Sequence, residues 1–141
     1  IDMGCKYEGY CSDMTRTIFM GCILEEIKPV YDLALKNLEL STKEITDGYT
    51  IKTAANMVES DFKVNGYNLI HALGHGVGLE VHELPFIRLK NEASFKENMV
   101  IADEPGIYLP GKYGIRIEDT LLVTKDGSER LTKSERGYVV I

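Results

Sequence analysis

The sequence lacks long apolar runs and basic clusters, and these two absences exclude several classes of protein. No apolar stretch approaches the roughly 20 residues that a helix needs to cross a bilayer, so we expect no membrane span. There are 16 basic against 22 acidic residues, a net charge of −6, and no basic run, which argues against binding nucleic acid or an anionic membrane surface. With 44% apolar residues in 141, the chain has enough material for one globular domain, or part of one.

Cysteine is also scarce, and its spacing excludes the usual cysteine-based sites. The three cysteines form no C-x-x-C pair, which argues against a zinc knuckle or a redox pair. We interpret Cys5, Cys11 and Cys22 as small buried hydrophobic residues in a reducing compartment, and we therefore expect a cytoplasmic protein. A Cys5–Cys11 disulfide across a hairpin is the alternative.

Two common catalytic motifs are missing as well. His82-Glu83 continues with Leu-Pro-Phe, so the sequence has no H-E-x-x-H helix of the zinc-peptidase type. The glycine-rich run from Gly74 to Gly78 lacks a following Lys-Ser/Thr and opens no helix, which makes it a poor phosphate-binding loop.

Hydrophobic periodicity predicts an α+β chain rather than alternating βαβ units. Residues 1–21 alternate like two strands joined by a tight turn, and a helical stripe with Pro29 in its first turn follows. The predicted order begins with a hairpin over 1–21, a helix from about Glu26 to before Asp47, and a second helix capped by Thr50 and ended by Asn65-Gly66. A glycine- and histidine-rich loop or irregular strand over 71–85 and a strand pair over 99–108 and 115–124 follow.

Two aspartates lie on opposite arms of the predicted first hairpin. If the turn is centred between Tyr7 and Glu8, Asp2 faces Asp13, and opposed residues have Cβ atoms about 5 Å apart. Two ionised carboxylates at that separation repel by roughly 3 kcal/mol at an effective dielectric near 20, unless a divalent cation or a shared proton compensates. The alternative is that one of the two aspartates faces solvent.

Two glutamates and three histidines are further candidates for a metal or substrate site. Glu104 and Glu118 lie within apolar strands and must point outward or be paired, and taken alone the outward orientation is favoured. All three histidines, His71, His75 and His82, occur within twelve positions among glycines that let a backbone approach a metal or substrate. Each histidine taken singly also suits a hydrogen-bonded core or surface position.

Four motifs in order give the chain a specific resemblance. They are Asp-x-Gly followed by Gly-Tyr-Cys-Ser-Asp-Met-Thr-Arg-Thr, the His71 to Pro85 run, Glu-Pro-Gly-Ile-Tyr, and Gly-Ile-Arg-Ile-Glu-Asp-Thr. Together they closely resemble the pita-bread metallopeptidases, the superfamily of methionine aminopeptidase and prolidase. The resemblance implies a curved antiparallel sheet backed by helices, incomplete at its N-terminal side. We therefore expect residues 1–141 to be the C-terminal catalytic portion of a longer protein, without its upstream helices and N-terminal domain.

The resemblance also implies a dinuclear metal centre and the roles of its neighbours. His82 matches the histidine that contacts the substrate carbonyl and the developing oxyanion. Glu104 matches the carboxylate that takes up the proton of the water. His71 and Arg116 match residues that line the substrate side. A hydroxide shared by two metal ions is the implied nucleophile. The implied metal ligands are Asp2, Asp13, His75, Glu104 and Glu118, with Asp13 and Glu118 bridging.

Four carboxylates and one imidazole suit two divalent ions such as Mn²⁺, with Co²⁺, Fe²⁺ or Zn²⁺ as alternatives. The Glu-Pro-Gly-Ile-Tyr and Arg-Ile-Glu-Asp-Thr motifs are similar to the Xaa-Pro aminopeptidase and Xaa-Pro dipeptidase branch, in its bacterial style. The implied reaction is hydrolysis of the bond between an N-terminal residue and a following proline. The alternatives are a pita-bread binding protein without peptidase activity and a methionine aminopeptidase, and we expect a homodimer or other self-association.

Overall fold

The structure, a computed structural model, describes residues 1–141. Two helices separate five very short strands from eight further strands, so the predicted order of hairpin, two helices and hairpin is confirmed, but each hairpin is divided into more strands than predicted. The helices are α1 (Lys28–Glu44) and α2 (Ile51–Val64). The strands are β1 (Asp2–Met3), β2 (Lys6–Tyr7), β3 (Tyr10–Cys11), β4 (Met14–Thr15), β5 (Ile18–Phe19), β6 (Gly74–Gly76), β7 (Glu83–Ile87), β8 (Val100–Asp103), β9 (Gly106–Leu109), β10 (Tyr113–Arg116), β11 (Asp119–Thr124), β12 (Gly127–Arg130) and β13 (Val139–Val140).

A five-stranded antiparallel sheet forms the centre of the fold, in the order β12-β11-β8-β6-β7. Helix α1 packs against β8 and β12, and α2 packs against β7, so both helices lie on this sheet. The apolar stripe of α1 includes Tyr31 and Leu38, and that of α2 includes Phe62, all without solvent exposure. The α+β prediction is therefore confirmed.

The helix boundaries fall close to those predicted, and one capping detail is wrong. Pro29 lies in the first turn of α1, where its missing N–H removes no helical hydrogen bond. Thr50 is the residue before α2, as expected, but its side chain makes no capping hydrogen bond there.

The predicted register of the first hairpin is wrong. Asp2 pairs with Thr15, not with Asp13, and Tyr7 pairs with Tyr10. The two residues of the turn are Glu8 and Gly9, with φ of 48° and 91°, the left-handed geometry that suits a tight hairpin. The turn is thus centred one residue later than predicted. Asp13 directly precedes β4 and pairs with no residue of β1.

The second hairpin follows its prediction and holds the two glutamates opposite each other. Strand β8 pairs with β11 through Asp103 and Asp119, and β9 pairs with β10 through Gly106 and Arg116. Glu104 and Glu118 occupy the interruption between these two ladders. The expectation that they point outward is wrong, because Glu118 is 2% exposed and the Glu104 side chain is 16% exposed.

The cysteines do not behave as predicted. Cys5 and Cys22 are exposed and Cys11 is half-buried. Cys5 and Cys11 lie in or next to the two-stranded sheet of β2 and β3, which is too small to bury them. All three are free thiols, and the alternative Cys5–Cys11 disulfide is not formed. Cys11 pairs with Lys6, so Cys5 and Cys11 point to opposite faces of the ribbon.

Neither helix is both long and apolar enough to cross a membrane.

Candidate metal centre

The five residues predicted as metal ligands come from the first hairpin, strand β6 and the second hairpin, and they meet at one place. Pairing of β6 with β8 sets His75 opposite Ala102, close to Glu104 at the end of β8. An isolated bridge between Thr15 and Glu118 joins the first hairpin to the second. By element, the predicted ligands are Asp2 on β1, Asp13 before β4, His75 in β6, Glu104 after β8 and Glu118 before β11.

The junction of the two hairpins fixes the Glu118 side chain. The Glu118 backbone N–H donates to the Thr15 carbonyl at 3.0 Å, and the Thr15 hydroxyl donates to Glu118 Oε2 at 2.6 Å. Both residues are buried, so these bonds replace the water that would solvate an exposed carboxylate.

His75 is held in the tautomer that a metal ligand needs. Its Nδ1–H donates to the Gly76 carbonyl at 3.0 Å, so in the neutral ring Nε2 carries a lone pair. That lone pair faces two carboxylate oxygens, Asp13 Oδ2 and Glu104 Oε1, each at 3.6 Å. When the two carboxylates are ionised, three acceptor groups face one another and repel, and a cation between them removes that repulsion.

Two overlapping sets of donor atoms have the spacing of metal sites. One oxygen or nitrogen from each of Asp13, His75 and His82 lies within 4.8 Å of the others, and the same holds for Asp2, Asp13 and Glu118. Asp13 belongs to both sets. Oxygen and imidazole donors of this kind suit hard or borderline divalent cations, so the residues present fit the metal that the sequence predicted.

The electrostatics of the cluster also favour a cation. Burial, and then the charge of Glu118, raise the pKa of Glu104 to about 8. Burial raises the pKa of Glu118 to about 7, although the hydrogen bond from Thr15 opposes the shift. Burial likewise raises the pKa of Asp13 and lowers the pKa of His75, which keeps the imidazole neutral. The carboxylates therefore ionise readily only when positive charge is added.

A second polar network lies beside the cluster. Arg116 forms an ion pair with Asp2, and its Nη1 donates to the Tyr108 hydroxyl at 3.0 Å. The His71 Nδ1–H donates to the Ala72 carbonyl at 2.7 Å, so His71 Nε2 accepts from the Tyr108 hydroxyl at 2.9 Å. Burial lowers the pKa of His71 and keeps its ring neutral.

His71 and Arg116 were predicted on the substrate side, whereas Tyr108, which connects them, and Thr15 were not predicted. Both residues lie inside the motifs quoted above, so their place in these motifs could have indicated that they belong to the site. Two glycines make room for the Tyr108 ring: a Cβ at Gly114 would lie 2.8 Å from its Cδ1, and one at Gly106 would overlap its hydroxyl.

His82 lies on the open side of the cluster. It is exposed, and its ring centre is 4.3 Å from that of His75. The loop that carries it is tied to the first hairpin, because Cys11 N–H donates to the Gly78 carbonyl at 2.7 Å and Lys6 Nζ donates to the Leu79 carbonyl at 2.9 Å. Glu83 Oε1 accepts from the Glu80 N–H at 2.9 Å and closes the loop on itself.

This arrangement of donors can be compared with known proteins. The model of metallopeptidase family M24 matches residues 1–125, which include every residue of the cluster. The chain belongs to metallopeptidase family M24. The M24 chain is 45% identical over 138 residues to the Xaa-Pro dipeptidase of Pyrococcus furiosus, covering 96% of this chain and 40% of that protein.

Solved structures confirm the pita-bread fold that the motifs implied. The M24 chain is similar to the X-Pro aminopeptidase from Thermotoga maritima, with a TM-score of 0.96, 40% identity, and coverage of 99% of this chain and 40% of that one. For the prolidase from Pyrococcus furiosus the TM-score is 0.93 at 44% identity, with coverage of 96% and 41%. The chain thus spans about 40% of the length of these relatives.

Proposed function

We propose that this chain is the catalytic part of a metal-dependent exopeptidase that hydrolyses the bond between an N-terminal residue and proline. The observation that carries the proposal is the buried cluster in which the His75 lone pair, Asp13 and Glu104 converge with no donor between them. The named relatives support the substrate class, because they are an Xaa-Pro dipeptidase and an X-Pro aminopeptidase.

In this proposal two divalent ions, most simply Mn²⁺, bind to five side chains. When bound, they lower the pKa of a water molecule and polarise the scissile carbonyl. Asp13 is the natural shared ligand because it belongs to both donor sets, and Glu118 is the second bridging candidate. The proposed ligands are Asp2, Asp13, His75, Glu104 and Glu118.

The protein groups around the cluster have distinct proposed roles. Glu104 lies inside the cluster, with Oε1 3.6 Å from His75 Nε2, and is suited to take up and return a proton during hydrolysis. His82 is exposed beside the cluster and offers a donor to the substrate carbonyl as negative charge develops on it. His71 and Arg116, fixed through Tyr108, would bound the substrate side.

The wider context of the chain belongs to the same proposal. We propose that residues 1–141 correspond to the C-terminal catalytic portion of a longer peptidase, since the matched relatives are about two and a half times as long. Residence in the cytoplasm and self-association as a homodimer stay predictions.

The test uses the full-length protein after removal of metal by chelation. Added Mn²⁺ should bind at two ions per chain, measured by elemental analysis after desalting, and Ala-Pro or Ala-Pro-Ala should be cleaved faster than Met-Ala. Glu118→Gln should remove most of the activity, whereas Glu92→Gln, which changes an exposed carboxylate, should not.

Fewer than one bound metal together with no cleavage of either proline peptide would refute the proposal and favour a binding protein. Preferred cleavage of Met-Ala would favour a methionine aminopeptidase. The relative rates on Ala-Pro and Ala-Pro-Ala separate a dipeptidase from an aminopeptidase.

A further inference from the structure

We propose that Arg16 is a positioning residue for the metal ligands Asp13 and Glu118, and that the C-terminal segment 131–137 acts on the site through it. The inference rests on the proposed metal centre. It concerns a side chain that touches neither ligand side chain nor substrate, and a segment that lies beyond residues 1–125, the part matched by the family.

Arg16 is 5% exposed and has an acceptor for every donor of its guanidinium group. A guanidinium has five N–H donors in one rigid plane, and each of them is used here. The acceptors are the Glu135 carbonyl for Nε at 2.7 Å, the Thr15 and Glu118 carbonyls for Nη1 at 2.8 and 2.5 Å, and Asp119 Oδ1 and the Ser134 carbonyl for Nη2 at 2.6 and 3.0 Å.

Two of these acceptors are the carbonyls at the junction of the two ligand-bearing hairpins. Thr15 and Glu118 already pair through the bridge described above, and Arg16 holds both carbonyls with a single nitrogen. Asp13 lies two residues before Thr15, and Glu118 is itself a proposed ligand. The guanidinium plane therefore fixes the distance between two ligands that must be placed within about 0.5 Å.

The charge on Arg16 is balanced by Asp119, which has no solvent exposure. Asp119 Oδ2 also accepts from Arg136 Nε at 2.5 Å, so one carboxylate links Arg16 to the C-terminal segment. Burying such a group is costly, and buried ion pairs are better at specifying a geometry than at stabilising a fold. A lysine cannot reproduce the planar five-donor fork.

The C-terminal segment reaches the other ligand by a second path. The Thr132 hydroxyl accepts from the Thr120 N–H at 2.9 Å, and the Thr120 hydroxyl donates to the Asp13 carbonyl at 2.6 Å. Segment 131–137 thus contacts the residues behind both Asp13 and Glu118, on the side away from the donor atoms.

The test compares Mn²⁺ affinity in the full-length protein and two variants, using isothermal titration calorimetry on metal-free samples. Arg16→Lys keeps the charge but loses the fork, and it should weaken Mn²⁺ binding at least about tenfold, the usual effect of removing a group that orients ligands. Tyr31→Phe is the control, because the Tyr31 hydroxyl bonds the carbonyls of Arg136 and Gly137 without touching the hairpins. It leaves all five hydrogen bonds of Arg16 intact and should change the affinity less than twofold.

Arg136→Lys is the second variant if Arg16→Lys fails to fold, since it disturbs Asp119 from the more exposed side. It should weaken Mn²⁺ binding several-fold while the control does not. Unchanged Mn²⁺ affinity in whichever arginine variant folds would overturn this inference but not the proposed function. An equal loss of affinity in Tyr31→Phe at matched thermal stability would do the same. Failure of the unmodified protein to bind Mn²⁺ would overturn the proposed function and this inference together.

Discussion

Thr15 has a role in the proposed metal centre that its residue type does not reveal. Its carbonyl accepts from the Glu118 N–H and from Arg16, while its hydroxyl donates to the Glu118 carboxylate and accepts from Arg116 Nε at 3.2 Å. A single small side chain therefore connects a proposed ligand with a residue on the substrate side. Because Glu118 is buried, this hydrogen bond supports the ionised form that a metal requires.

Replacing Thr15 with Val should test this role with little change in side-chain volume. We expect Thr15→Val to weaken Mn²⁺ binding about tenfold, because Glu118 loses the donor that orients it. The matched control is Thr17→Val, which removes a hydroxyl that donates to the Arg116 carbonyl at 3.0 Å and does not contact Glu118. Equal affinities for the two variants in a Mn²⁺ titration would contradict the expectation.

The identity of the site residues could be predicted from the sequence, but the burial of some of them could not. The residue types of the site were available from the motifs, and so was the expectation that His75, Glu104 and Glu118 matter. The burial of Glu118 could not be predicted from the motifs, because the hydroxyl that hydrogen-bonds the buried carboxylate belongs to Thr15, 103 residues away. From its own strand pattern alone, Glu118 is a charged residue that should face water.

At the scale of elements, the first hairpin shows how one turn residue sets the position of a ligand. The turn uses Glu8 in the left-handed region, where a residue with a long side chain is uncommon. A turn one residue earlier would have Tyr7 and Glu8 as its two central residues, without the glycine that such turns favour, and would set Asp2 opposite Asp13. The observed turn instead sets Asp2 opposite Thr15 and leaves Asp13 free to face His75.

A substitution at Glu8 should report on this geometry. Glu8→Asn should raise the free energy of unfolding by about 0.5 kcal/mol, because Asn tolerates the left-handed conformation, and Glu8→Val should lower it by about 1 kcal/mol. Urea denaturation of the metal-free protein measures both. A Val variant as stable as the Asn variant would show that the turn does not have this conformation in solution.

The elements themselves were largely predictable because their signals are local. The stripes of α1 and α2 and the second hairpin follow from periodicity and turn residues. The glycines around His75 predicted a loop or an irregular strand, and the structure has the short strand β6 there. Strand pairing between distant segments, such as β6 with β8, needs contacts that no local pattern encodes.

At the scale of the whole molecule, the fold concentrates negative charge in one buried place. Asp13, Glu104 and Glu118 all have raised pKa values, and burial is the largest cause in each case. A carboxyl whose pKa is higher in the folded than in the unfolded state opposes folding as it ionises. The ionisation of these buried carboxyls therefore lowers the free energy of unfolding of the metal-free protein.

The pH dependence of stability should show this directly. The unfolded chain releases the Glu104 and Glu118 protons near the ordinary pKa of 4.5, whereas the folded protein holds them to about 8 and about 7. Folded metal-free protein therefore binds more protons across this window, and its free energy of unfolding should fall as pH rises. The expected slope is about 1.4 kcal/mol per pH unit for each proton that only the folded protein holds. Urea denaturation at a series of pH values measures the trend.

Two comparisons make the pH experiment specific. Saturating Mn²⁺ should raise stability more at high than at low pH, because the metal replaces the protons. The double variant Glu104→Gln, Glu118→Gln should lose the part of the slope that these two carboxyls contribute in the absence of metal, and Asp103, whose pKa burial also raises to about 8, should retain the rest. A metal-free protein whose stability rises steadily with pH would contradict the expected burial of these carboxyls.

The sequence by itself determined the order of elements, the α+β class, the family and the inventory of carboxylates and imidazoles, because periodicity, turn residues and motif spacing are local properties of the chain. Only the tertiary structure decided the register that leaves Asp13 opposite His75, the tautomer of that imidazole, the burial of Glu118, and the positions of Tyr108 and Arg16. These depend on a low-dielectric environment and on hydrogen bonds between residues about a hundred positions apart, which exist only after the hairpins, helices and C-terminal segment have packed together.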